Sequence, residues 1–262
     1  MVKFTPLNTL IQYRELLLSW TVRTIRARYQ QTVLGGLWAV VQPAASALIF
    51  TVIFTLFIPI NTGNVPYVVF SYSAMVPWVL FSSAMTDMVE CLVTNMNLVT
   101  KIYFPREILP LASLIARMMD FGIASIVLLI LMLVFRMPVF TSVWIYLPLI
   151  LTVQLCLMLG LGLIGSALNV FYRDIRHVIT LGMQLWFFAT PIIYPITLVP
   201  ERLRPLYNLN PMTGIIQGYR LVLLESRPPD TNLVLSGLIA VLALLIGYWL
   251  FKRVEFKFAD VI

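Results

Sequence analysis

One histidine, His177, and two cysteines, Cys91 and Cys156, are the whole supply of imidazole and thiol in 262 residues. No HExxH pair, no CxxC and no clustered metal ligands can be assembled from them, and the two thiols read as small hydrophobes. A Ser-His-Asp arrangement would have to be built on His177 alone. The chain has no GxxxxGK[ST], so it carries no loop that would cradle ATP phosphates. Gly160, Gly162 and Gly165 spell GxGxxG, but inside an apolar run with no strand before it. That setting points to helices approaching closely through small residues, not to a dinucleotide.

Carboxylates are sparse. Arg117 and Asp120 lie three apart on one helical turn and can neutralise each other. No acidic residue falls at mid-membrane depth, where a proton-coupled carrier would need one. Aromatic residues are the positive signal. Phe50, Phe54 and Phe57 recur at i, i+4, i+7; Trp78 and Phe81 share a face; Trp186, Phe187, Phe188 and Tyr194 crowd one segment. Such stripes either line a channel or form interface belts and lipid-facing packing. Pro191 and Pro195, with Thr190, break the fifth apolar run near its end, which suits a gate or a plain helix end.

The elements that must position these residues follow from composition. Hydrophobic residues make up 60% of the chain and charged residues only 11%, with a mean hydropathy of +0.93. A soluble domain carries about 25% charged residues. Six apolar runs reach the length a crossing needs, about 20 residues: Leu34–Ile60, Pro66–Met85, Ile108–Phe135, Trp144–Val170, Val178–Ile196 and Leu233–Phe251. In lipid these should be helices, which satisfy their own backbone hydrogen bonds. The fold class is therefore all-α, an integral membrane protein of six spans. With the N-terminus inside, 13 of the 18 Lys and Arg residues fall on that side, so both termini are expected in the cytoplasm. Asp87, Glu90, Glu107, Asp120 and Asp174 then lie on or near the inner face. Net charge is +7. The cations cluster at the ends of apolar runs, so the charge reads as orientation and not as nucleic-acid binding.

The sequence divides one membrane domain, 1–262, into a cytoplasmic segment 1–33, a six-helix body 34–252 and a cytoplasmic tail 253–262. Leu7, Leu10, Ile11, Leu17, Leu18 and Trp20 alternate with Arg14, Glu15, Arg23, Arg26 and Arg28, predicting a basic amphipathic helix at the inner interface. Nothing at the N-terminus reads as a signal peptide. Between the fifth and sixth runs, five prolines separate short half-apolar pieces that suit helices dipping into the outer leaflet. The inner loop Asn95–Arg106 carries Leu98, Ile102, Tyr103 and Phe104, a candidate docking surface.

Several segments in order, RYQQTVLGGLWAVVQP (28–43), NLVTKIYFPREILP (97–110), NVFYRDIR (169–176), TPIIYP (190–195) and NPM (210–212), resemble the signatures of permeases of ABC-type polysaccharide exporters. That family exports O-antigen, teichoic acid or capsular polysaccharide, and the resemblance spans essentially the whole chain. It implies a homodimer in the bacterial cytoplasmic (inner) membrane, joined to two copies of a separate ATP-binding subunit that carries ATP and Mg. This chain would then be no enzyme and hold no cofactor or metal, and its cargo would be a lipid-linked polysaccharide, foremost of O-antigen type. By the same resemblance Asn97, Lys101, Tyr103, Phe104, Pro105, Arg106, Arg173, Asp174 and Arg176 would couple to the ATPase. Arg23, Arg26, Arg28, Gly35, Gly36 and Trp38 would admit the lipid head group. Phe50, Phe54, Phe57, Trp78, Phe81, Trp186, Phe187 and Tyr194 would line the channel. Pro191, Pro195, Asn210 and Pro211 would close its outer end. Two other readings stay open: a drug or small-lipid exporter permease of the same superfamily, and an integral membrane sugar-phosphate transferase built on Asp87, Glu90 and Asp174.

Overall fold

The structure is a computed structural model that describes residues 12–30, 32–33, 35–60, 62–63, 65–102 and 104–259. Every regular element among these residues is helical. Ten α-helices are α1 (Arg14–Tyr29), α2 (Trp38–Val52), α3 (Tyr67–Thr94), α4 (Met96–Lys101), α5 (Ile108–Val134), α6 (Leu147–Phe171), α7 (Ile175–Phe188), α8 (Arg204–Leu209), α9 (Pro211–Leu223) and α10 (Thr231–Val254).

Five stretches are long and apolar enough to cross a bilayer: Gly35–Phe57, Tyr67–Thr94, Ile108–Val134, Ser142–Phe171 and Thr231–Phe258. The chain is thus a multi-pass helical membrane protein. The fifth apolar run departs from its expected bounds. Helix α7 stops at Phe188 after 14 residues, about 21 Å of rise, and residues 189–195 leave the helix. Pro191 and Pro195 remove the amide donors that would continue it. The first crossing ends on a π-turn, Ile53–Phe57, where the Ile58 amide reaches back to the Ile53 carbonyl.

Helix α3 is the hub. Of its apolar span 78% is buried, against 11% for the first crossing, because α2, α5, α6, α7 and α9 all pack on it. Helices α6 and α10 run together along their length. A Cβ at Gly247 would sit 2.2 Å from the Gly160 carbonyl oxygen, so this pair of glycines sets how closely the helices approach. Gly160 thus serves the helix contact expected of the GxGxxG stretch.

Helix α1 turns an i, i+3, i+4, i+7 face, Tyr13, Leu16, Leu17 and Trp20, onto a second apolar cluster at one end of the bundle. Its apolar side therefore covers protein. The part of the expected amphipathic segment before residue 12 lies outside the described residues, as do Leu34, Tyr103 and residues 260–262.

Candidate functional site

Four groups of side chains are candidates. The first is a platform at the end of the bundle where α1, the α3–α5 connection, and the ends of α6 and α10 converge. Val99, Phe104, Ile108, Val170, Phe251 and Phe258 are buried together there. Helix α4 lies across this base with Val99 inward, while Asn97 and Lys101, with Ile102 just beyond its end, are exposed. Of the coupling residues expected in this loop, Asn97 and Lys101 face outward. Phe104 is only 6% exposed and anchors the loop. Pro105 and Arg106 are partly covered.

Arg106 donates to the Glu255 backbone carbonyl and lies over the Phe258 ring at 5.9 Å. Lys252 pairs with buried Glu107 and with Glu255, the latter at 3.2 Å. The segment Glu255–Ala259, expected only as a tail, is a helical turn that braces the loop from behind. Its short alternation of Phe and charge gave no periodic signal long enough to read. Arg173, Asp174 and Arg176 are all exposed on the α6–α7 turn. Arg176 contacts His177 at 3.2 Å, and among the described residues the histidine belongs to no cluster of three or more metal-ligand side chains.

The second group is an ionic cluster. Arg28 donates to Asp87 and to Asp120, both at 2.7 Å. Arg117 grips Asp87 through two nitrogens at 2.6 and 2.9 Å and reaches Asp120 at 3.2 Å. Tyr29 donates to Asp120. Burial, and then this carboxylate, push the Tyr29 phenol up, so it stays a donor. The expected Arg117–Asp120 pair is present, joined by Arg28 and Asp87 from distant sequence. Of the residues expected to admit a head group, Arg28 is thereby engaged, while Arg23 and Arg26 are exposed. Gly35 has φ +50°, a backbone that glycine adopts freely, and it makes the turn from α1 into α2. Gly36 sits against Ile123, and exposed Trp38 lines a cavity beside Arg28.

The third group is the rings. Phe50, Phe54, Trp78, Phe81, Trp186 and Phe187 form one network across α2 and the π-turn after it, α3 and α7, with neighbouring centroids 5.2–6.2 Å apart. Trp78 and Phe81 are buried within the chain, so neighbours occupy their faces. Phe57 and Phe188 are exposed at the edges. Tyr194 stands apart and shares a hydroxyl contact of 3.1 Å with Tyr207.

The fourth group is a latch. The Asn210 side-chain oxygen accepts from the Met212 amide at 3.1 Å, capping α9, and from the Trp186 indole at 2.8 Å. Its amide donates to the Thr190 hydroxyl at 2.9 Å. Pro211 takes the first position of α9, where its missing amide costs nothing. Asn210, Pro211 and Pro191 are thereby brought together, with Pro195 four residues along the same segment. The carbonyls freed by the prolines are taken by side chains that the sequence reading did not single out. Arg220, 3% exposed, donates to Pro191 O at 2.6 Å and to Ile192 O and stacks on Phe70 at 3.7 Å. Tyr67 donates to Ile193 O. The available signal was a lone cation, Arg220, in the otherwise apolar GIIQGYRLVLL stretch.

Among the described residues no group of His, Cys, Asp and Glu could hold a metal ion. Asp87 and Asp120 are tied up by arginines, and Glu90 and Asp174 do not join them in any ion pair. What the geometry offers is a helical membrane body with a braced surface at one end and a latched broken helix at the other. The chain belongs to the ABC-2 type transporter family, whose pattern matches residues 15–224.

Among its relatives is an O-antigen export system permease protein, RfbA, of Myxococcus xanthus, 31% identical over 255 residues covering 96% of each chain. A Klebsiella pneumoniae protein of the same name is 28% identical over 249 residues, 95% of each. The polysialic acid transport protein KpsM of Escherichia coli is 23% identical over 239 residues, 89% of this chain and 91% of that one.

Proposed function

We propose that this chain is the membrane subunit of an ATP-driven exporter that moves a lipid-linked polysaccharide, foremost of O-antigen type, across the bacterial inner membrane. The carrying observation is its end-to-end likeness to O-antigen export permeases. ATP and Mg belong to a separate ATP-binding subunit, two copies of which join a homodimer of this chain. The outward face of α4, stiffened by Phe104, Arg106 and the Glu255–Ala259 turn, supports the idea of a surface that receives force. The exposed Arg173–Arg176 turn beside it completes that contact.

Both termini lie in the cytoplasm, and the chain crosses six times. The starts of α1 and α5 and the ends of α6 and α10 share one apolar cluster. Helix α7 leaves from that end, whereas α10 begins at the other, beside α9. That arrangement supports one further crossing between them, made by α7 and residues 189–195. Helices α8 and α9 dip back into the outer leaflet. Two copies facing each other across α2 and α7 would enclose a channel edged by Phe50, Phe54, Phe57 and Phe187. Arg23, Arg26 and Trp38 would meet the lipid head group, and the Thr190–Pro195 segment would close the far end.

Deleting the gene and staining cell-surface glycan tests the substrate. Loss of long-chain surface polysaccharide, with lipid-linked polymer retained inside, is expected. Intact surface glycan would overturn the substrate assignment.

A further inference from the structure

Two cavities share the walls Val76 and Phe121 and run as one groove along α5. The first, of 270 Å³, is lined by Arg28, Tyr29, Arg117 and Asp120 together with Trp38 and Gln42. The second, of 440 Å³, is almost wholly apolar, with Ile126, Leu129, Met132 and Trp144 among its walls.

Helix lengths place this groove in the membrane. Counting about 20 residues for a crossing, the hydrocarbon part of α3 runs from Tyr67 to about Asp87. In α5 it runs from about Arg117 to Val134. The ionic cluster therefore marks one edge of the hydrocarbon. From Arg117 at that edge to Met132 α5 rises about 22 Å, so the apolar end of the groove reaches past the ~15 Å depth of one leaflet.

We propose that this groove holds one phospholipid with a primary-ammonium, zwitterionic head group. Arg28 and Arg117 are each paired with Asp87 and Asp120, so the cluster is neutral overall and presents both signs. A head group bearing only phosphate would add an uncompensated negative charge to this neutral cluster, beside Asp120, the carboxylate that lines the cavity. An ammonium–phosphate head adds none: its phosphate meets the guanidinium groups and its three N–H donors meet Asp120. Between the charged end and the apolar end stand Ser83 and Gln42. Neither side chain has a hydrogen-bond partner among the described residues, so both can meet the ester oxygens of the glycerol. One acyl chain then follows α5 past Leu129 to Met132.

The test is native mass spectrometry of the chain, with its ATP-binding subunit, released from nanodiscs of equal phosphatidylethanolamine and phosphatidylglycerol. Retention of one phosphatidylethanolamine per protomer, favoured about tenfold or more, is expected. Leu129→Trp, which fills the apolar end, should abolish retention while the assembly stays intact. Asp120→Asn should reverse the preference toward phosphatidylglycerol, because the cluster then carries net positive charge. Equal retention of both lipids by the unaltered protein would overturn the proposal, and so would undiminished binding in Leu129→Trp. Displacement of the phospholipid by an isoprenoid pyrophosphate would overturn it too, assigning the groove to a phosphate-only lipid.

Discussion

Arg220→Met should unlatch the broken segment that follows α7. The guanidinium makes two close bonds, to the carbonyls of Pro191 and Ile192, and two longer contacts of 3.5 Å to Tyr194 O and Phe70 O. A hydrogen bond from a charged group contributes about 1.5–3 kcal/mol, so the two close bonds represent about 3–6 kcal/mol. Methionine keeps most of the bulk over Phe70 and supplies no donor. Removing a buried cation also relieves its desolvation, which offsets part of the loss for the whole fold. The local loss is not offset, because residues 190–195 leave the helix and the Pro191 and Ile192 carbonyls have no other hydrogen-bond partner among the described residues. Taking the lower figure, opening of the segment becomes easier by about 3 kcal/mol, about a hundredfold. The assay is maleimide labelling of Ile193→Cys, buried at 8% exposure, in purified protein with Cys156 replaced by Ala and Cys91 left buried. Labelling should accelerate about a hundredfold in Arg220→Met. It should accelerate less in Arg220→Lys, whose ammonium still reaches one carbonyl. Equal labelling rates in all three proteins would refute the latch.

Further outcomes follow from the packing. Gly247→Leu forces α6 and α10 apart, since even a Cβ would lie 2.2 Å from Gly160 O. A loss of about 1–3 kcal/mol should appear as a lower Tm, whereas Gly182→Ala, with open space around it, should leave Tm unchanged or raise it. Asp87→Asn leaves Arg28 and Arg117 sharing Asp120 and should cost about 2 kcal/mol. Adding Arg117→Met should recover part of this in a double-mutant cycle of thermal unfolding. Asn210→Ala removes the α9 cap and the tie to Trp186 and Thr190, with an expected loss of about 1 kcal/mol or more.

The membrane class was legible because it rests on run length and charge placement, both local quantities. The five long helices fall where the apolar runs fall. The fifth apolar run, Val178–Ile196, was misread in length because hydropathy does not count amide donors: Ile192 and Ile193 are apolar, yet Pro191 and Pro195 deny that stretch a helix. The i, i+3 pair of Arg117 and Asp120 was visible from spacing. Their meeting with Arg28 and Asp87 was not, since it depends on how α1 and α3 lean on α5. The aromatic stripes were legible as stripes, but spacing within a helix does not tell whether a ring meets a channel or another ring. Trp78 and Phe81 turned out to meet rings. Arg220 was hidden for a related reason: its partners are backbone carbonyls, which leave no mark in side-chain sequence.

The central claim is that this chain transmits work from an ATP-binding subunit through α4. The most direct measurement is ATPase activity of the co-purified complex carrying Ile102→Asp and Lys101→Glu, beside the unaltered complex and the chain alone. Both positions are exposed and leave the buried base at Val99 and Phe104 untouched. No activity in the chain alone, activity in the complex, and loss of complex or coupling in the double variant at unchanged Tm are the predicted results. Full assembly and transport-coupled hydrolysis in the double variant, or ATP hydrolysis by the chain alone, would contradict the account.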